Sequence, residues 1–175
     1  ATVFPQAIGL AAIFDEDFHE MVASVISTEA RAKYNGQSAH GDRDIYKGLS
    51  MWSPNINIFR DPRWGRGHET YGEDPYLTSR LGVRFIKGLQ GNGKYLKVAA
   101  CAKHFAVHSG PEAIRHSFDA VANPKDMNET YLPAFEAAVK EAKVESVMGA
   151  YNRVNGEPAC GSKTLLVDIL RNKWQ

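Results

Sequence analysis

Three short apolar runs constrain this chain most: Gly48 to Trp52, Lys97 to Phe105 and Val144 to Tyr151. Segments with helical spacing separate them. Strands that alternate with helices imply βα units and a parallel sheet. Each run leads directly into polar, aromatic or glycine-rich residues, so the chemistry is expected at the carboxyl ends of the strands. About three strands and four helices are expected. Periodicity alone leaves a partial barrel and an open doubly wound sheet both open.

Asp15 caps a predicted helix over 16–34, with Phe18, Met21, Val22, Val25, Ile26 and Ala30 as its apolar face. Asn35-Gly36 is its expected stop, and 37–48 reads as loop. Asp74-Pro75 starts a second helix carrying Leu77, Leu81, Phe85 and Leu89 up to Gly91. Pro124 opens a third, running to about residue 143 and broken or restarted at Pro133. Ser162 caps the last, with Leu165, Leu166, Ile169 and Leu170 on one face. Residues 106–123 and the run NRVNGEPACG read as loops.

The stretch Trp52 to Tyr76, WSPNINIFRDPRWGRGHETYGEDPY, has neither the helical nor the strand period. Ordered loops of that length are usually functional. Trp52, Phe59, Trp64, Tyr71 and Tyr76 argue against disorder. A rigid polar surface remains, with Arg and carboxylate groups braced by aromatic packing. Such surfaces bind sugars; a purely structural loop pinned by ion pairs is the alternative.

Composition narrows the classes. The 175 residues are 43% hydrophobic and 23% charged with net charge +1, as in an ordinary globular domain. There is no basic run to suggest nucleic acid and no apolar stretch of membrane-spanning length. No signal-peptide pattern is present, which leaves the compartment open, and the missing initiator Met suggests a processed or cropped chain. Two cysteines make no disulfide framework: Cys101 reads as a buried thiol and Cys160 as a loop residue, both reduced. Asn128-Glu129-Thr130 matches a glycosylation acceptor but lies in an expected helix.

Four stretches together resemble glycoside hydrolase family 3: RDPRWGRGHETYGEDP at 60–75, AKHF at 102–105, RHSFDA at 115–120 and VMGAYNRVNGEPAC at 147–160. They occur in the family's order and cover most of the chain from about Ser50. The resemblance implies part of a (β/α)8 TIM-type barrel, with all of 1–175 inside the family's N-terminal domain. It implies a retaining, exo-acting β-glycosidase, β-glucosidase first and β-xylosidase close behind, acting on β-glucoside or β-xyloside oligosaccharides without a cofactor. Retention needs two carboxyl groups about 5–5.5 Å apart. In the family the nucleophilic Asp follows a helix like 163–174, so it is expected beyond Gln175. The acid/base usually lies in a later domain, and a further sugar-binding carboxylate upstream. No catalytic residue is therefore assigned within the chain, which by itself is expected not to hydrolyse glycosides.

The implied sugar-binding residues are Arg66, Lys103, His104, Met148 and Tyr151. Trp52 stands where the family often has an aromatic wall. Asp61, Arg63, Glu69, Glu73 and Asp74 are expected to brace Arg66, and His116 to help close the pocket. Two other readings compete. One is a non-catalytic carbohydrate-binding or vestigial fragment. The other is a zinc metallohydrolase, because His104, His108, Glu112 and His116 recur every four residues. Gly110-Pro111 interrupts that run and argues against a single helix.

Overall fold

The computed structural model describes residues 1–175. A short helix, α1 (Ala7–Ala11), leads into α2 (Glu16–Ala39). Asp15 caps α2, its Oδ1 accepting from the Phe18 N–H at 2.9 Å, and Glu16 and Asp17 face the positive end of the helix. The helix runs through Asn35-Gly36, the expected stop, to Ala39. A glycine ends a helix where it takes the left-handed position. Here that residue is Gly41, at φ 77°, just after His40.

The buried face of α2 is also displaced from the expected one. His19, Val22, Ala23 and Ser27 are buried, while Met21 and Val25 are exposed. The cause is α3 (Pro75–Gln90), which crosses α2 closely at Gly88. A Cβ on Gly88 would lie 2.3 Å from the Glu20 carbonyl oxygen and 2.7 Å from Ala23 Cβ. Only small side chains fit there, and the Ser27 hydroxyl donates to the Gly88 carbonyl at 3.0 Å. Arg80 and Arg84 flank the crossing, pairing with Glu16, Glu20 and Glu141. Helix α3 itself follows its sequence signals. Asp74 Oδ1 accepts from the Leu77 N–H, and Gly91 ends the helix at φ 69°.

Six strands form two sheets: β1 (Ser50–Met51), β2 (Ala99–Phe105), β3 (Asp119–Ala120), β4 (Ser146–Gly149), β5 (Arg153–Val154) and β6 (Glu157–Pro158). The first sheet is parallel, ordered β1-β2-β4. The second is a small ribbon, formed where the sequence pattern predicts loops. In it β3 runs parallel to β5, and β5 turns at Asn155-Gly156 into antiparallel β6. Pro124–Asp126 forms α4, which continues through a π-wound turn (Met127–Tyr131) into α5 (Pro133–Lys140). The chain ends in a π-wound helix, Thr164–Lys173, opened by Ser162, whose hydroxyl accepts from the Leu165 N–H at 3.0 Å.

The core lies between the sheet and the helices. Phe105, at the end of β2, packs on Phe135 of α5 at 5.0 Å between ring centroids and on Trp174 at 5.8 Å. All three are buried. Each such ring stabilises the fold by about 2–3 kcal/mol through area removed from water. This cluster fixes the carboxyl end of β2, where Lys103 and His104 sit.

Candidate functional site

The chain leaving β1 does not depart at once from the sheet. Asn55 bridges to Lys103 in parallel register, with the Ile56 N–H donating to the Lys103 carbonyl at 2.9 Å. The first residues of the long loop therefore run beside β2. On the other side, Lys103 pairs with Met148 and Phe105 with Gly149, so β2 spends two residues against one step of β4. Such a bulge re-aims side chains at a strand end.

His104 is buried, and Asn57 holds it at three points. Asn57 Nδ2 donates to the His104 carbonyl at 2.9 Å, and its Oδ1 accepts from the His104 N–H at 2.8 Å. The same Oδ1 lies 3.1 Å from ring Nδ1, which therefore carries the proton. Ring Nε2 is left as an acceptor, and Arg66 Nη1 donates to it at 3.0 Å. Burial, together with His108, Arg66 and Lys103 nearby, pushes the imidazole down to about 2, so it stays neutral.

Arg66 is gripped on its other side by Glu69. Its Nε and Nη2 each donate to one carboxylate oxygen at 2.7 Å. That two-pronged bond holds Glu69 below its ordinary value against the opposing effect of burial. Of the five residues expected to brace Arg66, only Glu69 touches it. Asp61 pairs with Arg63, Asp74 caps α3, and Glu73 is exposed. Lys103 is half-buried, and desolvation pushes its ammonium below the usual lysine range. Together with Glu69, Asn55, Ser53, His68 and Gln6 it lines a cavity of about 250 Å³.

A second cluster adjoins the first. His108 lies 4.6 Å from His104 between ring centroids and 5.8 Å from Trp64. Its Nδ1–H donates to Asn152 Oδ1 at 3.0 Å. Tyr151 is exposed, with His116 stacked 4.6 Å away and the Arg115 guanidinium 5.9 Å above its ring. Met148 is half-buried beside Lys103 on β4. Trp52 stands apart. It is 60% exposed and lines a separate apolar cavity with Ile45, Tyr46 and Met51.

The three histidines do not make a zinc site. Asn57 and Arg66 occupy both ring nitrogens of His104, and His116 is turned onto Tyr151. No three His, Cys, Asp or Glu side chains converge as metal ligands. No helix is long and apolar enough to cross a membrane. What the arrangement does offer is a rigid set of donors, Arg66 and Lys103, beside one fixed carboxylate. Asn57 joins the site from outside the family stretches; Asn152 and Arg115 lie within the stretches 147–160 and 115–120 but carry no expected role. The alternating Asn55-Ile56-Asn57-Ile58 is the one available signal for Asn57.

The family model for the glycosyl hydrolase family 3 N terminal domain matches residues 1–175. The chain belongs to glycosyl hydrolase family 3. Among curated proteins, it is 52% identical to a xylan 1,4-beta-xylosidase of Xylanibacter ruminicola, across 99% of this chain and 21% of that protein. It is 47% identical to beta-D-xylosidase 3 of Arabidopsis thaliana, across 100% of this chain and 22% of that one. Among solved structures, a GH3 exo-beta-xylosidase in complex with a xylobiose aziridine activity-based probe superposes with a TM-score of 0.89 at 39% identity, over 98% of this chain and 22% of that one. Beta-glucosidase 3B of Thermotoga neapolitana, in complex with glycerol, superposes at 0.84 with 35% identity, over 99% and 22%. The chain thus spans about a fifth of the length of the curated relatives it matches. Within the family 3 fold, β1, β2 and β4 with their helices are an arc of the (β/α)8-type barrel. The Arg66–His104 contact lies at the carboxyl ends of its strands, the face where enzymes of this architecture carry their sites.

Proposed function

We propose that the chain is part of a retaining, exo-acting β-glycosidase that releases single sugars from the non-reducing ends of β-xylosides, with β-glucosides as its second substrate class. One observation carries this reading: Arg66, His104 and Glu69 interlock at strand ends beside the cavity that Lys103 and Glu69 line. Sugar hydroxyls each donate and accept, so they need donors and an acceptor fixed side by side. Arg66 keeps two N–H groups beyond those bound by Glu69 and His104, and Lys103 adds an ammonium. His104, held neutral, steers the guanidinium rather than repelling it. Met148 and Tyr151 line the glycone pocket, whereas Trp52 lines the separate apolar cavity beside Tyr46.

The identity to curated xylosidases favours xylose over glucose. The catalytic carboxylates lie outside these 175 residues, so the chain alone binds sugar without cleaving it.

The test is to express the parent reading frame and the 175-residue chain and assay both on 4-nitrophenyl β-D-xyloside and β-D-glucoside. The parent is expected to cleave both, the xyloside with the higher kcat/KM, and the short chain neither. Turnover by the short chain above a buffer blank, or a parent inert on both substrates, overturns the reading.

A further inference from the structure

We infer that Asn55 is a substrate-binding residue, its side-chain amide donating a hydrogen bond to a ring hydroxyl of the sugar held beside Lys103. The inference rests on the glycosidase reading above and adds to it a residue that neither the family motifs nor the sequence pattern singles out.

Asn55 is 5% exposed and lines the 250 Å³ cavity. Its Oδ1 accepts from the Asn57 N–H at 3.1 Å, which fixes the rotation of the amide and defines Nδ2 as its other end. That Nδ2 is buried and has no hydrogen-bond partner. Buried amide donors without partners are rare and cost stability. Here the unpartnered donor lies in the wall of a cavity, where an acceptor that arrives from outside can meet it.

The neighbours say what kind of acceptor. Asn55 and Lys103 are register partners across the parallel bridge, so their side chains share a face. They present one neutral and one cationic donor to the same space. Glu69 lines that space as well, ionised and bound to Arg66. A phosphate or carboxylate ligand would gain from Lys103 but would face the Glu69 charge. A hydroxyl suits all three groups, because its oxygen accepts from Asn55 or Lys103 while its hydrogen goes to Glu69. Adjacent hydroxyls on a neutral sugar ring satisfy the set. In this scheme Asn57 divides its work. Its side chain orients His104, and its backbone N–H orients the amide of Asn55.

The experiment uses the parent enzyme, wild type and with Asn55→Ala or Asn55→Asp, on 4-nitrophenyl β-D-xyloside and its three monodeoxy analogues. Asn55→Ala is expected to lower kcat/KM on the xyloside about tenfold, the scale of one hydrogen bond between neutral groups. On one deoxy analogue the penalty should vanish, because the hydroxyl that Asn55 serves is already gone. On the other two analogues wild type and variant should differ by the same factor as on the xyloside. Asn55→Asp keeps the oxygen that accepts from Asn57 but replaces the donor with an acceptor, so any change in kinetics should again centre on that one hydroxyl, while urea denaturation of both variants reads the stability cost separately. Equal penalties on all four substrates, or wild-type kinetics in both variants, overturn the inference while leaving the glycosidase reading intact. A wild-type parent that cleaves none of the substrates overturns both.

Discussion

Asn57 and His104 are locked together by a side-chain amide that mimics a peptide pair. It donates to the His104 carbonyl at 2.9 Å and accepts from the His104 N–H at 2.8 Å, then reaches the ring as well. Replacing it strands a buried backbone N–H and carbonyl together with the ring Nδ1–H. Each unmet group costs about 1–3 kcal/mol. Asn57→Ala is therefore expected to destabilise the chain by about 3 kcal/mol. In the parent it should also lower kcat/KM more than tenfold, because the imidazole no longer steers Arg66. Urea denaturation and steady-state kinetics check the two halves. An Asn57→Ala protein of unchanged stability contradicts the locking role.

Acid should weaken the fold in two stages. His104 is held down to about 2, and burial also depresses His108. In the unfolded chain each titrates near 6.5. Below that pH the unfolded state takes up protons that the folded state refuses. The histidines' contribution is thus complete above pH 6.5 and is lost as pH falls, at up to about 1.4 kcal/mol per pH unit for each. Glu69, depressed by Arg66, adds a second loss as pH falls below about 4.5. His108→Gln should make the first stage shallower, leaving the part that His104 contributes, and leave the second unchanged. Denaturation midpoints at pH 7.5, 6.5, 5.5, 4.5 and 3.5 would read both stages. A wild-type curve flat between 7.5 and 5.5 refutes it.

Much of the fold is legible in advance because local signals and tertiary packing agree. Asp74 caps α3, Gly91 ends it, and Pro133 divides the third helical stretch, as the residue types require. The failures sit where packing overrules composition. On α2 the bulkier Met21 and Val25 lose the interface to Ala23 and Ser27, because α3 approaches too closely for large side chains. The small ribbon of β3, β5 and β6 has two-residue strands, too short to show a period. At the site, Arg66, Lys103 and His104 are legible through their motifs. What holds them together is not, since that depends on Asn57, whose partner His104 lies 47 positions away.

Two glycines give opposite predictions for the α2–α3 pair. Gly36 is inside α2, and nothing lies within 4 Å of where an added methyl would sit. Gly36→Ala should therefore stabilise by about 0.5–1 kcal/mol through helix propensity and unfolded-state entropy. Gly88→Ala puts a methyl 2.3 Å from the Glu20 carbonyl and must push the helices apart. A loss of about 1–3 kcal/mol or more is expected. Thermal melts of both variants decide the point, and a Gly88→Ala protein as stable as wild type would mean that α2 and α3 do not approach as described.

Tyr151 separates packing from chemistry. Its ring is flanked by His116 at 4.6 Å and Arg115 at 5.9 Å, yet it is 61% exposed and its hydroxyl makes no hydrogen bond within the chain. Removing that oxygen leaves the stacking intact, so Tyr151→Phe should change stability by less than about 0.5 kcal/mol. Under the proposed function Tyr151 lines the glycone pocket, and its free hydroxyl is expected to donate to the nucleophile carboxylate of the parent enzyme. There Tyr151→Phe should lower kcat at least tenfold with little effect on KM, since the lost contact serves the reacting carboxylate rather than the bound sugar. Tyr151→Ala should lower kcat and also weaken sugar binding, because the pocket loses its wall. Kinetics of the two variants side by side distinguish these roles. A Tyr151→Phe enzyme with wild-type kcat would confine Tyr151 to packing.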